Sequence, residues 1–153
     1  MFNLFKKEEF KIVSPADGQL VELSKVPDEM FAQKLMGDGF AVQIANDVIV
    51  APISGEVTAV FPTGHAVGIK NKDGVECIVH IGLETVNLNG EGFKTLVKVG
   101  NHVKAGKEIV EVNKDDLEAK GYNLITMTVF PSGYSESFEL KEREVVRGET
   151  LVS

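Results

Sequence analysis

The chain has 153 residues, 43% of them apolar and 25% charged, which are ordinary values for one globular domain and unlike those of disordered chains. Its net charge of −7 opposes polyanion binding, and no basic cluster stands out along the chain, so nucleic acid is excluded in favour of a basic protein partner. The longest unbroken apolar run, Val48 to Ile53, is far short of the roughly 20 residues a bilayer span needs.

Residues 1–10 read as a flexible N-terminal segment and residues 11–153 as a single domain. Met1-Phe2-Asn3-Leu4-Phe5-Lys6-Lys7 has no h-region or cleavage site behind it. Weak peripheral contact with anionic lipid through this foot is the most membrane association it implies. Beyond it, runs rich in Val, Ile, Thr and Phe alternate with Gly, Pro and Asp turns. They predict strands at Ile12–Val13, Gln19–Leu23, Phe40–Ala45, Val57–Phe61, Ala66–Lys70, Val75–Ile81, Glu108–Val112 and Leu124–Phe130. Helix is expected only as a turn or two over Pro27 to Leu35, and over Lys114 to Lys120, capped by Asn113 and ended by Gly121. The fold class is therefore an all-β antiparallel sandwich with one or two short helices. Cys77 is the single cysteine and lies in an apolar run, so no internal disulfide forms and a reducing cytoplasmic compartment is expected.

The chain also resembles itself. Val13-Ser14-Pro15-Ala16-Asp17-Gly18-Gln19-Leu20 returns as Val50-Ala51-Pro52-Ile53-Ser54-Gly55-Glu56-Val57, 37 residues later. Val103-Lys104-Ala105-Gly106-Lys107-Glu108-Ile109-Val110 returns as Val145-Val146-Arg147-Gly148-Glu149-Thr150-Leu151-Val152, 42 residues later. Two different motifs, each repeated once, argue against a solenoid and for a pseudo-twofold sandwich of similar halves.

Two of the three histidines flank the turn Asn71-Lys72-Asp73-Gly74. With an even-numbered loop, Lys70 pairs with Val75 and His65 falls directly opposite His80, so the two imidazoles share one sheet face. On that register Val67, Ile69 and Ile78 join the histidine face, while Val75, Cys77, Val79 and Ile81 form the core face. Apolar groups beside exposed histidines mark a surface that meets another protein.

Val79-His80-Ile81-Gly82-Leu83-Glu84-Thr85-Val86 resembles the phosphorylation-site signature of the glucose-class enzyme IIA family of the bacterial sugar phosphotransferase system. Ser14-Pro15-Ala16-Asp17-Gly18, Val26-Pro27-Asp28, Gly37-Asp38-Gly39-Phe40, Val50-Ala51-Pro52 and Gly90-Glu91-Gly92-Phe93-Lys94 extend the likeness over nearly the whole chain. The resemblance implies an internally duplicated antiparallel β-sandwich and a cytoplasmic phosphocarrier. His80 would take a phosphoryl group at Nε2 from HPr and pass it to a cysteine of a IIB domain. A hydrogen bond from Nδ1–H to the carbonyl near Gly82 would fix the tautomer. His65 would stabilise the transferring group, with Thr63 orienting it. Asp28 and Glu84 would stand on the rim, and Met30, Phe31, Phe61 and Ile78 would form an apolar collar. Glu84 departs from the aspartate usual there. The protein is expected to act as a monomer and without a cofactor, zinc binding at His65 and His80 only where a partner completes the ligand set.

A zinc peptidase with a related core needs an H-x-H pair, and a biotinyl or lipoyl carrier needs M-K-M or D-K-A; none occurs. A regulatory module using the same histidine face is the alternative reading. His102, in a polar turn, is expected to be solvated and inert.

Overall fold

The computed structural model describes residues 10–153; the readings of a flexible segment and a lipid-contacting foot lie almost wholly outside them. In chain order the strands are β1 (Ile12–Val13), β2 (Gly18–Glu22), β3 (Asp38–Ile44), β4 (Val48–Val50), β5 (Gly55–Val60), β6 (Ala66–Lys70) and β7 (Glu76–Ile81). They continue with β8 (Phe93–Thr95), β9 (His102–Val103), β10 (Glu108–Val112), β11 (Thr126–Ser132), β12 (Glu144–Val145) and β13 (Thr150–Val152). Helices α1 (Glu29–Ala32) and α2 (Lys114–Ala119) are short, and 3₁₀ turns span Leu23–Lys25 and Thr85–Leu88. One antiparallel sheet runs β12-β2-β3-β11-β7-β6-β5-β9, with β4-β10-β8 and β1-β13 as smaller sheets.

The two repeats hydrogen-bond to each other, and they do so twice. Strand β13 pairs with β1 (Val13 opposite Thr150) as β10 pairs with β4 (Val50 opposite Glu108). Likewise β12 meets β2 as β9 meets β5. The halves lock reciprocally at the centre, where Val13 N–H donates to Pro52 O (2.8 Å) and Val50 N–H to Pro15 O (2.7 Å). This is the expected duplication, seen in individual bonds.

Strand alternation divides the apolar residues between two clusters. Phe40, Val42, Val67, Ile69, Cys77, Val79 and Ile81 enter the main core. Burial pushes the Cys77 thiol well above its ordinary pKa, so it is inert packing. On the opposite face of the large sheet, Ala41, Met127 and Val129 are covered by the 23–37 excursion through Leu23, Val26 and Phe31. That excursion is held by α1, where Asp28 Oδ1 accepts from Met30 N–H at 2.9 Å. The second helix corrects the expected cap. Asn113 makes no side-chain cap bond, and Asp47 Oδ1 accepts from Lys114 N–H instead, at 3.3 Å.

The β6–β7 register also differs from expectation by one residue. Lys70 pairs with Glu76 and Ala66 with His80. Asn71 is responsible, because its Oδ1 accepts from Asp73 N–H and Val75 N–H, both at 2.9 Å, while its own N–H reaches Val75 O at 2.9 Å. An Asx turn of this kind makes the loop odd-numbered. Val67 and Ile69 therefore face Val79 and Cys77 in the core and do not share the histidine face.

Candidate functional site

His80 stands on the outer face of β7, next to Ile78 and beside the end of the 23–37 excursion. Its Nδ1 lies 3.0 Å from Gly82 O. A carbonyl only accepts, so the imidazole proton is on Nδ1 and Nε2 keeps its lone pair. Gly82 makes this geometry available because its φ of 81° is open to glycine at no steric cost.

His65 reaches the same place by another route. It directly precedes β6, where Ile81 N–H donates to His65 O at 2.7 Å. The turn before it closes with Gly64 N–H donating to Phe61 O at 2.7 Å. Released from strand alternation, its ring swings to the outer face. The two imidazole centroids are 4.9 Å apart at 78°, so the histidines converge although they are not paired residues. Thr63 Oγ1 is hydrogen-bonded to His65 Nδ1. If the hydroxyl donates, the proton of a neutral His65 sits on Nε2.

The surroundings are apolar. Phe31 lies tilted against His80 with centroids 5.0 Å apart, and Phe61 meets His65 edge-on at 5.6 Å. Burial, and then the neighbouring His65, push the His80 pKa down to about 4, against weaker opposing effects of Gly82 O and Asp28. Burial also lowers that of His65. Both imidazoles are thus neutral at pH 7.

The remaining expected residues separate by exposure. Met30 (54% exposed) and Phe61 (37%) present apolar surface to solvent, whereas Phe31 is 4% exposed and walls His80 from within. Gly82 is buried and offers only its carbonyl, Ile78 is partly buried in the second cluster, and Asp28 is half-buried. Glu84 is exposed at φ 58°, a left-handed conformation that aspartate and asparagine adopt more readily than glutamate. Its departure from the usual aspartate is therefore a backbone matter as well as one of reach. Thr85, missed in the sequence although it lies within the same signature, is fully buried and donates through Oγ1 to Ile81 O at 2.6 Å.

Among the described residues, no group of three or more His, Cys, Asp or Glu side chains is arranged to hold a metal. No helix among them is long and apolar enough to cross a membrane. His102 opens β9, its side chain 82% exposed and 4.0 Å from Glu56. It lines a cavity of about 230 Å³ with Lys11, Lys72 and Lys104, a basic grouping that the linear sequence did not disclose.

Residues 10–134 match the family model described as phosphoenolpyruvate-dependent sugar phosphotransferase system, EIIA 1. A glucose-specific EIIA component of Halalkalibacterium halodurans is 47% identical over 80% of this chain and 70% of its own. One of Staphylococcus epidermidis is 40% identical over 93% and 87%. A glucose-specific EIICBA component of Streptococcus pneumoniae is 44% identical over 97% of this chain, which spans only 21% of that longer protein. Among solved structures, glucose permease IIA from Mycoplasma capricolum superimposes with a TM-score of 0.88 at 35% identity, covering 99% of this chain and 98% of that one. With the family model spanning most of the domain and stand-alone relatives aligned over most of their length, the chain belongs to the EIIA 1 family of the sugar phosphotransferase system and is a phosphotransferase component of it.

Proposed function

We propose that this chain takes a phosphoryl group onto Nε2 of His80 from a phosphohistidine of HPr and gives it to a cysteine of a IIB domain. The observation that carries this reading is the Nδ1–H donation from His80 to Gly82 O, which leaves a neutral imidazole with its lone pair on Nε2. In the forward step Nε2 attacks phosphorus and the donor imidazole leaves with the electrons of the broken N–P bond. In the second step a thiolate of IIB attacks and Nε2 recovers its pair. No proton need move on His80 in either step, so the Gly82 bond persists throughout. His65, with Thr63 donating to Nδ1, directs its Nε2–H at the phosphoryl oxygens and steadies the charge of the transition state. The apolar walls Phe31 and Phe61 limit water that would hydrolyse phosphohistidine.

Met30, Phe61 and Ile78 form the contact collar around the pair, and Asp28 and Glu84 receive basic groups of the partner. The IIB partner is supported by relatives named EIICBA in Streptococcus pneumoniae and Staphylococcus carnosus. The protein works as a cytoplasmic monomer. No metal takes part in transfer; two imidazoles supply half of the four ligands zinc takes, and a partner would have to complete the set.

Incubation with phosphoenolpyruvate, enzyme I and HPr should place one acid-labile, base-stable phosphate on His80. Full labelling of a folded His80→Gln variant would refute the assignment. Onward transfer from His65→Gln should slow by roughly tenfold or more, with label still on His80.

A further inference from the structure

The tautomer of His80 depends on one carbonyl, and that carbonyl belongs to a glycine at positive φ that has no side chain to hold it. What fixes Gly82 is visible in the bonds of the two peptide planes beside it. In the first plane, Gly82 N–H donates to Ile125 O at 3.0 Å and Ile81 C=O accepts from Thr85 Oγ1–H at 2.6 Å. In the second, Gly82 C=O accepts from His80 Nδ1–H at 3.0 Å and Leu83 N–H donates to Asn123 O at 2.9 Å. All four polar groups are occupied. Among their partners other than His80 itself, Thr85 is the one side chain; the rest are main chain.

Thr85 acts through its carbon branch as well. A Cβ built on Gly82 would fall 2.5 Å from Thr85 Cγ2, so this methyl fills the space that a side chain would otherwise claim. The residue is fully buried, and its hydroxyl is at hydrogen-bond length. The same Ile81 also donates its N–H to His65 O. One residue thus receives Thr85 on its carbonyl and holds the backbone of the second histidine through its amide.

We infer that Thr85 is a positioning residue for phosphoryl transfer: its hydroxyl locks the Ile81–Gly82 peptide so that the Gly82 carbonyl holds the His80 proton on Nδ1, leaving Nε2 as the nucleophile. This deepens the reading of His80 as phosphoryl acceptor and rests on it. Thr85 touches neither the phosphoryl group nor a reacting atom. Without the hydroxyl, Ile81 C=O is left buried and unpaired, the plane is held only through Gly82 N–H and can tilt, and the proton of His80 redistributes towards Nε2, where it blocks attack.

The test compares Thr85→Val, which keeps both branches and loses the hydroxyl, with Thr85→Ser, which keeps the hydroxyl and loses the methyl. The imidazole ¹⁵N shifts of His80 at neutral pH report the tautomer, and phospho-HPr supplies the rate. Thr85→Val should show a substantial Nε2–H population and a phosphorylation rate lower by roughly tenfold. Thr85→Ser should keep the Nδ1–H signature and a rate within about threefold of wild type. A folded Thr85→Val with the wild-type tautomer overturns the inference, whether its rate is unchanged or reduced, since a loss of rate alone is what a merely structural residue would give. If the valine variant does not fold, the wild-type protein decides. The Thr85 hydroxyl proton should exchange slowly and show coupling to the Ile81 carbonyl carbon, and a freely exchanging hydroxyl overturns the lock. Labelling of His80→Gln would instead show failure of the underlying assignment, independently of any Thr85 result.

Discussion

The depression of the His80 pKa makes a prediction about stability that needs no partner protein. Burial, and then the neighbouring His65, lower the value from 6.5 to about 4, so between these limits the unfolded chain binds a proton that the folded chain refuses. Stability then rises with pH across this window and is lost as pH falls from about 6.5 towards 4. At about pH 5 the loss attributable to His80 is about 2 kcal/mol, and at pH 8 it is close to zero. Replacing His80 by Gln removes the group that titrates while leaving a neutral polar side chain. Whatever the substitution costs in packing is common to both pH values, so the stability of His80→Gln relative to wild type should improve by about 2 kcal/mol on going from pH 8 to pH 5. Urea unfolding of both proteins at the two pH values measures this difference, in which the groups that do not interact with His80 cancel, and the coupled His65 is followed by its own ring titration. An NMR titration of the His80 ring gives the same quantity directly. A difference that is flat in pH, or a ring that titrates above pH 6 in the folded protein, would refute the argument that burial keeps this imidazole neutral.

Three further outcomes follow from particular contacts. Phe31→Leu should lose about 1–2 kcal/mol of stability and let the His80 pKa climb back towards that of an ordinary imidazole, as read by ring titration, because Phe31 is the aromatic wall that buries it. Thr128→Val should raise stability in urea unfolding by about 1 kcal/mol, since Thr128 Oγ1 is buried with no hydrogen-bond partner among the described residues. Asp28→Asn combined with Glu84→Gln removes two rim charges while Asn keeps the cap on α1. Stopped-flow phosphorylation by phospho-HPr should slow most at low ionic strength, the gap from wild type closing as the Debye length shrinks from about 30 Å at 0.01 M to about 10 Å at 0.1 M.

Much of this architecture was legible in the sequence because its signals were local. Strands of five or more residues were recognised within a few residues of their ends, from runs of Val, Ile, Thr and Phe between turn residues, and the repeats disclosed the duplication. Strands β4, β8, β9, β12 and β13 are two or three residues long, too short for a period of two to be read, and β1, equally short, was placed by its β-branched composition alone. Strands β9, β12 and β13 and the end of β4 belong to the repeats, which place each beside its partner, whereas β8 lies outside them and is held by β10. The one-residue register slip arose where a side chain, Asn71, does the work of backbone in closing the loop. The histidine pair survived that slip for a reason the sequence could not disclose: His65 precedes the strand and is not bound by its alternation. Thr85 escaped notice because its place is set by a bond to a backbone carbonyl four residues away, which no side-chain pattern announces, and the grouping of Lys11, Lys72 and Lys104 because it draws on distant segments.

The duplication itself explains why there is one histidine site and not two. The connection from β5 to β6 spans residues 61–65 and carries Thr63 and His65, while the equivalent connection from β2 to β3 spans residues 23–37. The longer connection has enough chain to fold over the outer face of the sheet, and it seals Met127 and Val129 there, each 0% exposed. Met127 is directly opposite His80 across the β7–β11 ladder, so the apolar cover ends at His80. The two corresponding connections therefore supply opposite walls of a single site, Phe31 and Asp28 from one, His65 from the other. An acceptor in the middle of the cover would be neutral but unreachable, and one in open solvent would be reachable but protonated through much of the acid range. On the proposed reading of His80 as acceptor, the edge of the cover joins the two requirements, burial against Phe31 that removes its charge and the partial exposure of the residue that a donor needs.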